Sequence, residues 1–284
     1  MGDRLLVKIT RENLPRISDR YPFVYLEYGR LEVDDSSVKW IDNEKEIVHI
    51  PVAMLNCIIL GPGTSVTHEA VKATTASNCG ICWGGEDTLL FYAGGISPTA
   101  KTTNFRKQIF LSSSKQKSIE IAKKLFKKRF PNLDVGDMSI KELMGIEGSR
   151  VQQMYEEMAN KYKIVWLGRR YTPGKFELSD LSNQILTACN SYLYGIICSV
   201  VHSLGYTPYA GFIHSGSPLP FVYDMADLYK KDLCVDLAFS LPAKLSGEYN
   251  KEVVSSAFIQ KALDVKLLEN ITLDIKDLFG GVEE

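Results

Sequence analysis

The feature that most constrains the fold is a long stretch without charged side chains. The 43 residues Leu181–Tyr223 contain no Asp, Glu, Lys or Arg. Part of it, ILTACNSYLYGIICSVV, is long enough to cross a membrane, but Asn190, Ser191, Tyr192 and Tyr194 interrupt it and no basic cluster flanks it. The stretch therefore predicts a helix buried in the core of a protein that does not enter a membrane.

The pattern of side chains divides the chain of 284 residues into two parts, as its length also suggests. Alternating strand-like segments separated by turn residues fill residues 23–95, with one helix around VTHEAVKATTASN. From about residue 104 the periodicity is helical: NFRKQIFLSSSKQKSIEIAKKLFKKRF predicts one helical stretch, and later helices are expected around 222–239, around 251–268 and towards the C-terminus. An α+β fold is expected, with a β-rich domain at 1–98 and an all-α domain at 104–284.

The N-terminal segment and the cysteines indicate the cellular compartment. The segment MGDRLLVKIT is charged from its third residue and has no apolar core of a signal peptide. The six cysteines lie mostly in apolar runs and do not form the framework of a secreted protein. Cys79 and Cys82 have no second pair, so they are interpreted as packing residues rather than zinc ligands. A reduced, cytoplasmic protein is expected.

Charge is distributed unevenly along the chain. Residues 101–184 carry 17 basic and 9 acidic side chains, whereas the segments on either side are acidic. Within 101–130, ten Lys or Arg residues stand against the single acid Glu120. Such a helix face is often only solvated, but an excess this large also favours contact with the phosphates of a nucleic acid.

The candidate chemistry lies in GFIHSGSPLPFVYDMAD, residues 211–227. Asp224 and Asp227 are three residues apart, so on a helix they share one face, and His214 precedes them in a turn. Glu147 stands between two glycines in GIEGSRV, at the predicted start of another helix. One imidazole and two or three carboxylates form a donor set for Mg²⁺ or Mn²⁺, and the imidazole favours Mn²⁺.

Each of these residues also has a simpler interpretation. The two aspartates could cap a helix and occupy its solvated first turn, His214 could be a hydrogen-bonded turn residue, and Glu147 could complement a helix dipole. A cation beside a basic surface nevertheless suits phosphodiester chemistry, because it activates a hydroxyl and stabilises charge at phosphorus. The residues alone do not say which phosphoryl reaction is catalysed.

Several motifs occur together in a recognisable order. They are LEYG (26–29), HIPV (49–52), PGTSVTHEAV (62–71), GIEGSRV (145–151), GRRYTP (168–173), LYG (193–195) and the segment 211–227. On these motifs the chain resembles the CRISPR-associated integrase-endonuclease of spacer acquisition, and most closely its Escherichia-like cascade (type I-E) subtype. The resemblance implies an N-terminal β-sandwich-like domain that dimerises, followed by a larger all-α catalytic domain.

The resemblance also implies a function and roles for individual residues. The 3′-hydroxyl of a captured DNA fragment with fork or overhang ends would attack a phosphodiester of the CRISPR repeat. Glu147, His214 and Asp227 would bind the catalytic Mg²⁺ or Mn²⁺, and Asp224 would complete the catalytic group. Two integrase homodimers would assemble with a small ferredoxin-fold Cas partner into a heterohexamer. The residues implied to contact DNA are Tyr28, Lys72, Arg169, Arg170, Tyr171 and Tyr194.

Two other functions remain open on the sequence. One is a metal-dependent endonuclease of branched DNA, which would use the same residues with water as the nucleophile. The other is a DNA-binding scaffold without catalysis, in which the carboxylates only cap helices. For the tyrosines, packing in the core is the alternative to stacking on splayed bases.

Overall fold

The structure is a computed structural model that describes residues 14–34, 37–84, 93–94, 102–170 and 176–280. The described strands form two four-stranded sheets. Sheet 1 has the order β1-β5-β7-β8 and is parallel except for β8, whereas sheet 2 has the order β4-β3-β2-β6 and is antiparallel except for β6. The strands are β1 Tyr21–Leu26, β2 Gly29–Asp34, β3 Ser37–Asp42, β4 Ile47–Ile50, β5 Leu55–Leu60, β6 Thr64–Val66, β7 Gly80–Trp83 and β8 Ala93–Gly94.

Sheet 1 is the middle layer of the protein. All six residues of β5 are buried, and successive side chains of a strand point to opposite faces. Ile58 and Leu60 pack with Trp40 and the rest of the sheet 2 core. Cys57 and Ile59 pack on the other face, against the helical part of the chain. The unbroken apolar run LNCIIL is what a strand covered on both faces requires.

One helix, α1 His68–Ala76, lies between strands β6 and β7. The other described helices follow the strands: α2 Thr103–Ser113, α3 Lys115–Arg129, α4 Ile140–Tyr162, α5 Leu181–Ser203, α6 Pro220–Ala226, α7 Asp236–Ser240, α8 Lys251–Asp264 and α9 Leu267–Phe279. A single π-helical turn, Lys231–Val235, leads into α7. The predicted α+β fold, β-rich first and helical afterwards, is confirmed.

The charge-free stretch forms the central helix of the structure. Helix α5 begins after Asp180, whose side chain accepts a hydrogen bond from the backbone N–H of Asn183. It is the one helix of the described residues that is long and apolar enough to cross a membrane, and 78% of its most apolar window is buried inside the protein. Its apolar side chains pack against sheet 1 and against α6, α7 and α8. This is the packing that the core-helix interpretation predicts.

The structure corrects three details of the predicted helices. The stretch 104–130 is two helices, because Ser114 leaves the helical conformation and caps α3 through the N–H of Lys117. The predicted helix at 222–239 is divided among α6, the π-helical turn and α7. The helix predicted at 251–268 ends at Asp264, and α9 begins after Lys266, which has a φ of 49°.

The division into domains at 1–98 and 104–284 stays a prediction. Most of the predicted boundary falls on residues 95–101, which lie outside the described residues, as does most of the predicted strand TLLFYAGG. The helices and sheet 1 share one apolar core, in which Phe23 of β1 stacks on Tyr192 of α5 with ring centroids 4.9 Å apart. This core places α4, α5 and α6 around the candidate residues.

Candidate metal centre

A buried carboxylate organises the segment 211–227. Asp224 lies in α6 with 1% of its surface exposed. Its oxygens accept hydrogen bonds from the backbone N–H groups of Phe212 at 2.6 Å, Ile213 at 3.3 Å and His214 at 3.0 Å. The simpler interpretation of Asp224 as a helix cap or solvated first-turn acid is therefore wrong, because this carboxylate is buried and binds the loop that precedes its helix.

A glycine allows the loop to approach the helix this closely. A Cβ atom added to Gly211 would lie 2.6 Å from the Cβ of Pro220 and 2.9 Å from Oδ2 of Asp224. Both distances are below van der Waals contact, so a larger residue would push the loop away from Asp224. The small size of Gly211 thus allows the loop to pack directly against Asp224.

The imidazole of His214 is fixed by the same carboxylate. Nδ1 of His214 lies 2.8 Å from Oδ1 of Asp224, so the nitrogen that faces this anion carries the proton. The other ring nitrogen, Nε2, lies 3.4 Å from Oδ2 of Asp227. A histidine whose other ring nitrogen donates to a carboxylate is the usual arrangement of a metal ligand.

Asp227 follows the last residue of α6 and lies between two basic side chains. Its Oδ1 atom is 2.8 Å from Nζ of Lys230, and its Oδ2 atom is 3.2 Å from Nη1 of Arg129. Burial favours the protonated acid, but the charges of Lys230 and Arg129 outweigh it and lower the pKa of Asp227. The carboxylate is therefore held in its ionised form, which is the form that binds cations.

Glu147 joins this group from α4. Its side chain is 13% exposed and pairs with Nη1 of Arg129. Glu147 lies seven residues beyond Ile140, the first residue of α4, and not at the predicted helix start. A dipole effect does not extend that far into a helix, so the helix-dipole interpretation is wrong. Among the described residues, no other segment comes within 4 Å of a Cβ atom added to Gly145 or Gly148.

The donor set fits a divalent cation in its chemistry. One imidazole nitrogen and two carboxylates suit Mg²⁺ or Mn²⁺. Neighbouring ligands of an octahedral ion with bonds of about 2.1 Å lie about 3 Å apart, close to the 3.4 Å between His214 and Asp227. In the part of the chain that the structure describes, no three His, Cys, Asp or Glu side chains already have the spacing of a formed site. Arg129 contacts both Glu147 and Asp227.

The basic residues of α3 divide into two groups. Several side chains near its C-terminal end are engaged within the protein: Lys123 and Lys127 donate to the carbonyls of Gly136 and Leu133, and Lys128 pairs with Asp274 and Asp277. The carboxylates neutralise Lys128, whereas Lys123 and Lys127 keep their positive charge beside neutral carbonyls. Arg129, the last residue of the helix, faces the candidate metal centre instead.

The residues expected to contact DNA lie in different parts of the structure. Tyr28 is 48% exposed in the turn between β1 and β2, and Lys72 pairs with Glu69 on the exposed side of α1. Within the described part of the chain, neither residue contacts the metal-centre group. Tyr171 lies outside the described residues.

The other three candidates lie close to the centre or to the start of α5. Tyr194 is half-buried, packs edge-on to Tyr223, and has Nζ of Lys230 at 5.1 Å from its ring centroid. Lys230 in turn binds Asp227, so Tyr194 lies at the edge of the centre and is partly a packing residue. Arg169 donates to side chains at the start of α5, and the exposed Arg170 donates its backbone N–H to Asn183.

Sequence reasoning missed the roles of two basic residues in this group. Lys230 is three residues beyond Asp227, a spacing that signals an ion pair on a helix and was available in the sequence. Arg129 was visible only as one of ten basic residues in its block. Its meeting with Glu147 and Asp227 depends on how three helices pack, which no local pattern encodes.

Comparisons with known proteins identify the family of the chain. A family model described as "CRISPR associated protein Cas1" matches residues 131–269. The CRISPR-associated endonuclease Cas1 2 of Chlorobaculum tepidum is 55% identical over 98% of this chain and 94% of its own length. The CRISPR-associated endonuclease Cas1 of Escherichia coli K12 is 37% identical over 84% of this chain and 78% of its own.

A solved structure also shares the fold. The crystal structure of a TtCas1–DNA complex superimposes with a TM-score of 0.82 at 34% identity and covers 92% of each chain. The similarity covers 92% of the chain and so includes residues of both the N-terminal sheets and the helical part. The chain belongs to the Cas1 family of CRISPR-associated endonucleases.

Proposed function

We propose that this Cas1 protein is a metal-dependent DNA integrase of CRISPR adaptation. It would join the 3′-hydroxyl ends of captured DNA to phosphodiesters of the CRISPR repeat. The observation that carries the proposal is the placement of His214, whose Nδ1 is held by Asp224 while Nε2 faces Asp227 at 3.4 Å. This pair, beside Glu147, supplies the donors that phosphodiester chemistry with a divalent cation requires.

The side chains around the centre have distinct tasks in this proposal. Glu147, His214 and Asp227 would hold the cation, and Asp224 fixes the tautomer and orientation of His214. Lys230 keeps Asp227 ionised. When bound, Mg²⁺ or Mn²⁺ would lower the pKa of the attacking hydroxyl and stabilise negative charge on the phosphoryl oxygens. The reaction exchanges one phosphodiester for another, so it needs no energy source besides the bond that breaks.

The DNA substrate is inferred from a relative and from charge. TtCas1 has been crystallised with DNA, and it shares 34% identity with this chain. The exposed Tyr28 suits stacking on an unpaired base, and Arg170, with the other basic residues of 101–184, suits contact with phosphates. Lys72, Arg169, Tyr171 and Tyr194 are proposed as further DNA contacts on the family motifs.

The assembly and the setting are part of the same proposal. The motifs favour the type I-E subtype, in which the protein would form homodimers and bind a small ferredoxin-fold Cas partner as a heterohexamer. Its DNA would carry fork or 3′-overhang ends, and the reaction would take place in the cytoplasm. Hydrolysis of branched DNA is the second candidate, because the similar proteins are named endonucleases.

Strand transfer is the test of the proposed function. The protein and its small partner are incubated with a fork-ended duplex and a repeat-bearing plasmid in Mn²⁺, and joined products are resolved on a gel. Since the metal ligands act together, His214→Ala and Asp227→Ala should each lower strand transfer by a factor of at least about 100. Binding of the duplex, measured by fluorescence anisotropy, should be retained.

A matched control separates the outcomes. His49 is an exposed histidine on β4 that binds Ser37, so His49→Ala should transfer strands at the wild-type rate. Unchanged transfer in His214→Ala and Asp227→Ala would show that the metal centre is wrongly assigned. Cleavage of the branched duplex without any joined product would favour the endonuclease.

A further inference from the structure

Arg129 occupies the position between the two carboxylates of the centre. It is the last residue of α3, and its side chain is 16% exposed. The same nitrogen, Nη1, contacts Glu147 on α4 and Asp227 at the end of α6. Burial lowers the pKa of Arg129 and Asp227 raises it, but a guanidinium stays charged in either case. The centre therefore contains one built-in positive charge between its two acidic ligands.

This charge and a divalent cation need the same atoms. Oδ1 of Asp227 is bound by Lys230, so Oδ2 is the oxygen left to share a cation with Nε2 of His214. Nη1 of Arg129 already lies 3.2 Å from this Oδ2 atom. It also pairs with Oε1 of Glu147. A cation bound by Glu147, His214 and Asp227 would thus lie where the guanidinium now lies.

We propose that Arg129 is an internal cation that holds Glu147 and Asp227 when no divalent cation is bound and competes with the metal for both. The inference rests on the metal centre of the proposed function. With Lys230 as the one remaining positive charge on Asp227 among the described contacts, two carboxylates with 13% and 12% exposure would repel each other across a poorly solvated gap. Arg129 removes this repulsion, and its release accompanies metal binding.

The structure provides a place for the released side chain. A cleft of about 320 Å³ adjoins the centre, and Arg129, Phe130, Arg150, Met154 and Asp227 contribute to its walls. Cζ of Arg129 lies 5.3 Å from the Phe130 ring centroid, and Cζ of Arg150 lies 4.9 Å from it. Arg129 can therefore turn into the cleft without leaving the Phe130 ring. Two guanidiniums beside one ring would then suit the phosphate of a DNA strand.

Metal affinity measured without DNA tests the competition. Free Mn²⁺ is followed by electron paramagnetic resonance during titration of the wild-type protein, Arg129→Met and the control Arg150→Met. If Arg129 occupies the carboxylates about nine-tenths of the time, its removal should tighten the apparent Kd for Mn²⁺ about tenfold. Arg150→Met removes an equal charge from the same cleft but no contact with Glu147 or Asp227, so its Kd should stay near that of the wild type.

A second readout follows from the carboxylate repulsion. In EDTA, Arg129→Met should melt at a lower temperature than the wild type and should gain more on addition of Mn²⁺. An unchanged or weaker Mn²⁺ affinity in Arg129→Met would overturn the inference, as would equal tightening in Arg150→Met. If Arg129→Met does not fold, Arg129→Lys takes its place, since one ammonium pairs less well with two carboxylates, and it must also bind Mn²⁺ more tightly than the wild type.

The Mn²⁺ titration distinguishes failure of the competition from failure of the metal-dependent function. If wild type and Arg129→Met both bind Mn²⁺ equally well, only the competition is wrong. If neither binds Mn²⁺, the metal-dependent function is wrong, and the competition fails with it. Asp227→Ala, which should bind no Mn²⁺ at this centre, shows that the measured ion occupies the assigned residues.

Discussion

The His214–Asp224 half of the candidate centre is held by hydrogen bonds within one segment of chain, whereas the Glu147–Asp227 half is held by ion pairs between helices. In the first half, Asp224 accepts from three successive backbone N–H groups and from the imidazole. In the second half, Arg129 and Lys230 neutralise the carboxylates from α3 and from the turn after α6.

The difference separates a fixed part from an exchangeable part. Backbone hydrogen bonds to a buried carboxylate have no substitute, because no other acceptor is near when they break. An ion pair can exchange one cation for another. The loop therefore presents His214 in one orientation, while Glu147 and Asp227 keep the freedom to pass from a guanidinium to a metal.

Replacing Asp224 should produce the largest effect and tests the fixed half. Asp224→Ala leaves three backbone N–H groups of residues 212–214 without their buried acceptor. The free energy of unfolding should fall by about 3–5 kcal/mol, measured by urea denaturation. The exposed Asp264, replaced by Ala, should change it by no more than about 0.5 kcal/mol. A loss below about 1 kcal/mol in Asp224→Ala would show that the loop is held by other contacts.

A double-mutant cycle on Arg129 and Glu147 should give a smaller effect and tests the exchangeable half. Glu147→Gln and Arg129→Met are measured alone and together by urea denaturation in EDTA. The two residues share one contact, so their effects should differ from additivity by about 1–3 kcal/mol.

A second double-mutant cycle serves as the control for the first. Lys72 on α1 pairs with Glu69 and lies in a different part of the fold, so the cycle of Glu147→Gln with Lys72→Met should be additive within about 0.5 kcal/mol. Additivity in both cycles would mean that Arg129 does not hold Glu147. The two halves of the centre would then not differ in the way described.

The same contrast explains what the sequence could predict. Local patterns in the sequence predicted the alternating strands and the apolar α5. They also predicted that His214 and the two aspartates lie together. The buried role of Asp224 was not visible, because a D-x-x-D pair looks the same whether it caps a helix or binds a loop. The break at Ser114 was also missed, since the helical apolar pattern continues across it.

Contacts between helices lay beyond sequence reasoning. Arg129 pairs with Asp227, which lies 98 positions further along the chain. Its neighbours Lys127 and Lys128 have a similar local sequence but bind different residues. Only the packing of α3 against α4 and α9 decides which basic residue faces the centre. The family motifs predicted which residues would bind a metal, but they did not predict that Arg129 pairs with two of them.

The smallest expected effect is a pH dependence confined to the ion-paired half. Despite burial, Lys230 and Arg129 lower the pKa of Asp227, so its contribution to stability is present above its unfolded pKa of about 3.9 and is lost as the pH falls through the folded value. Burial opposes the charge of Lys230, but Asp227 raises its pKa, so that contribution is present below about pH 10.4 and is lost as the pH rises. Asp227→Asn should therefore flatten both limbs of a plot of unfolding free energy against pH, while Asp264→Asn should keep both. Parallel curves for wild type and Asp227→Asn would place Asp227 outside the ion-paired half and leave Arg129 with Glu147 as its one acidic partner.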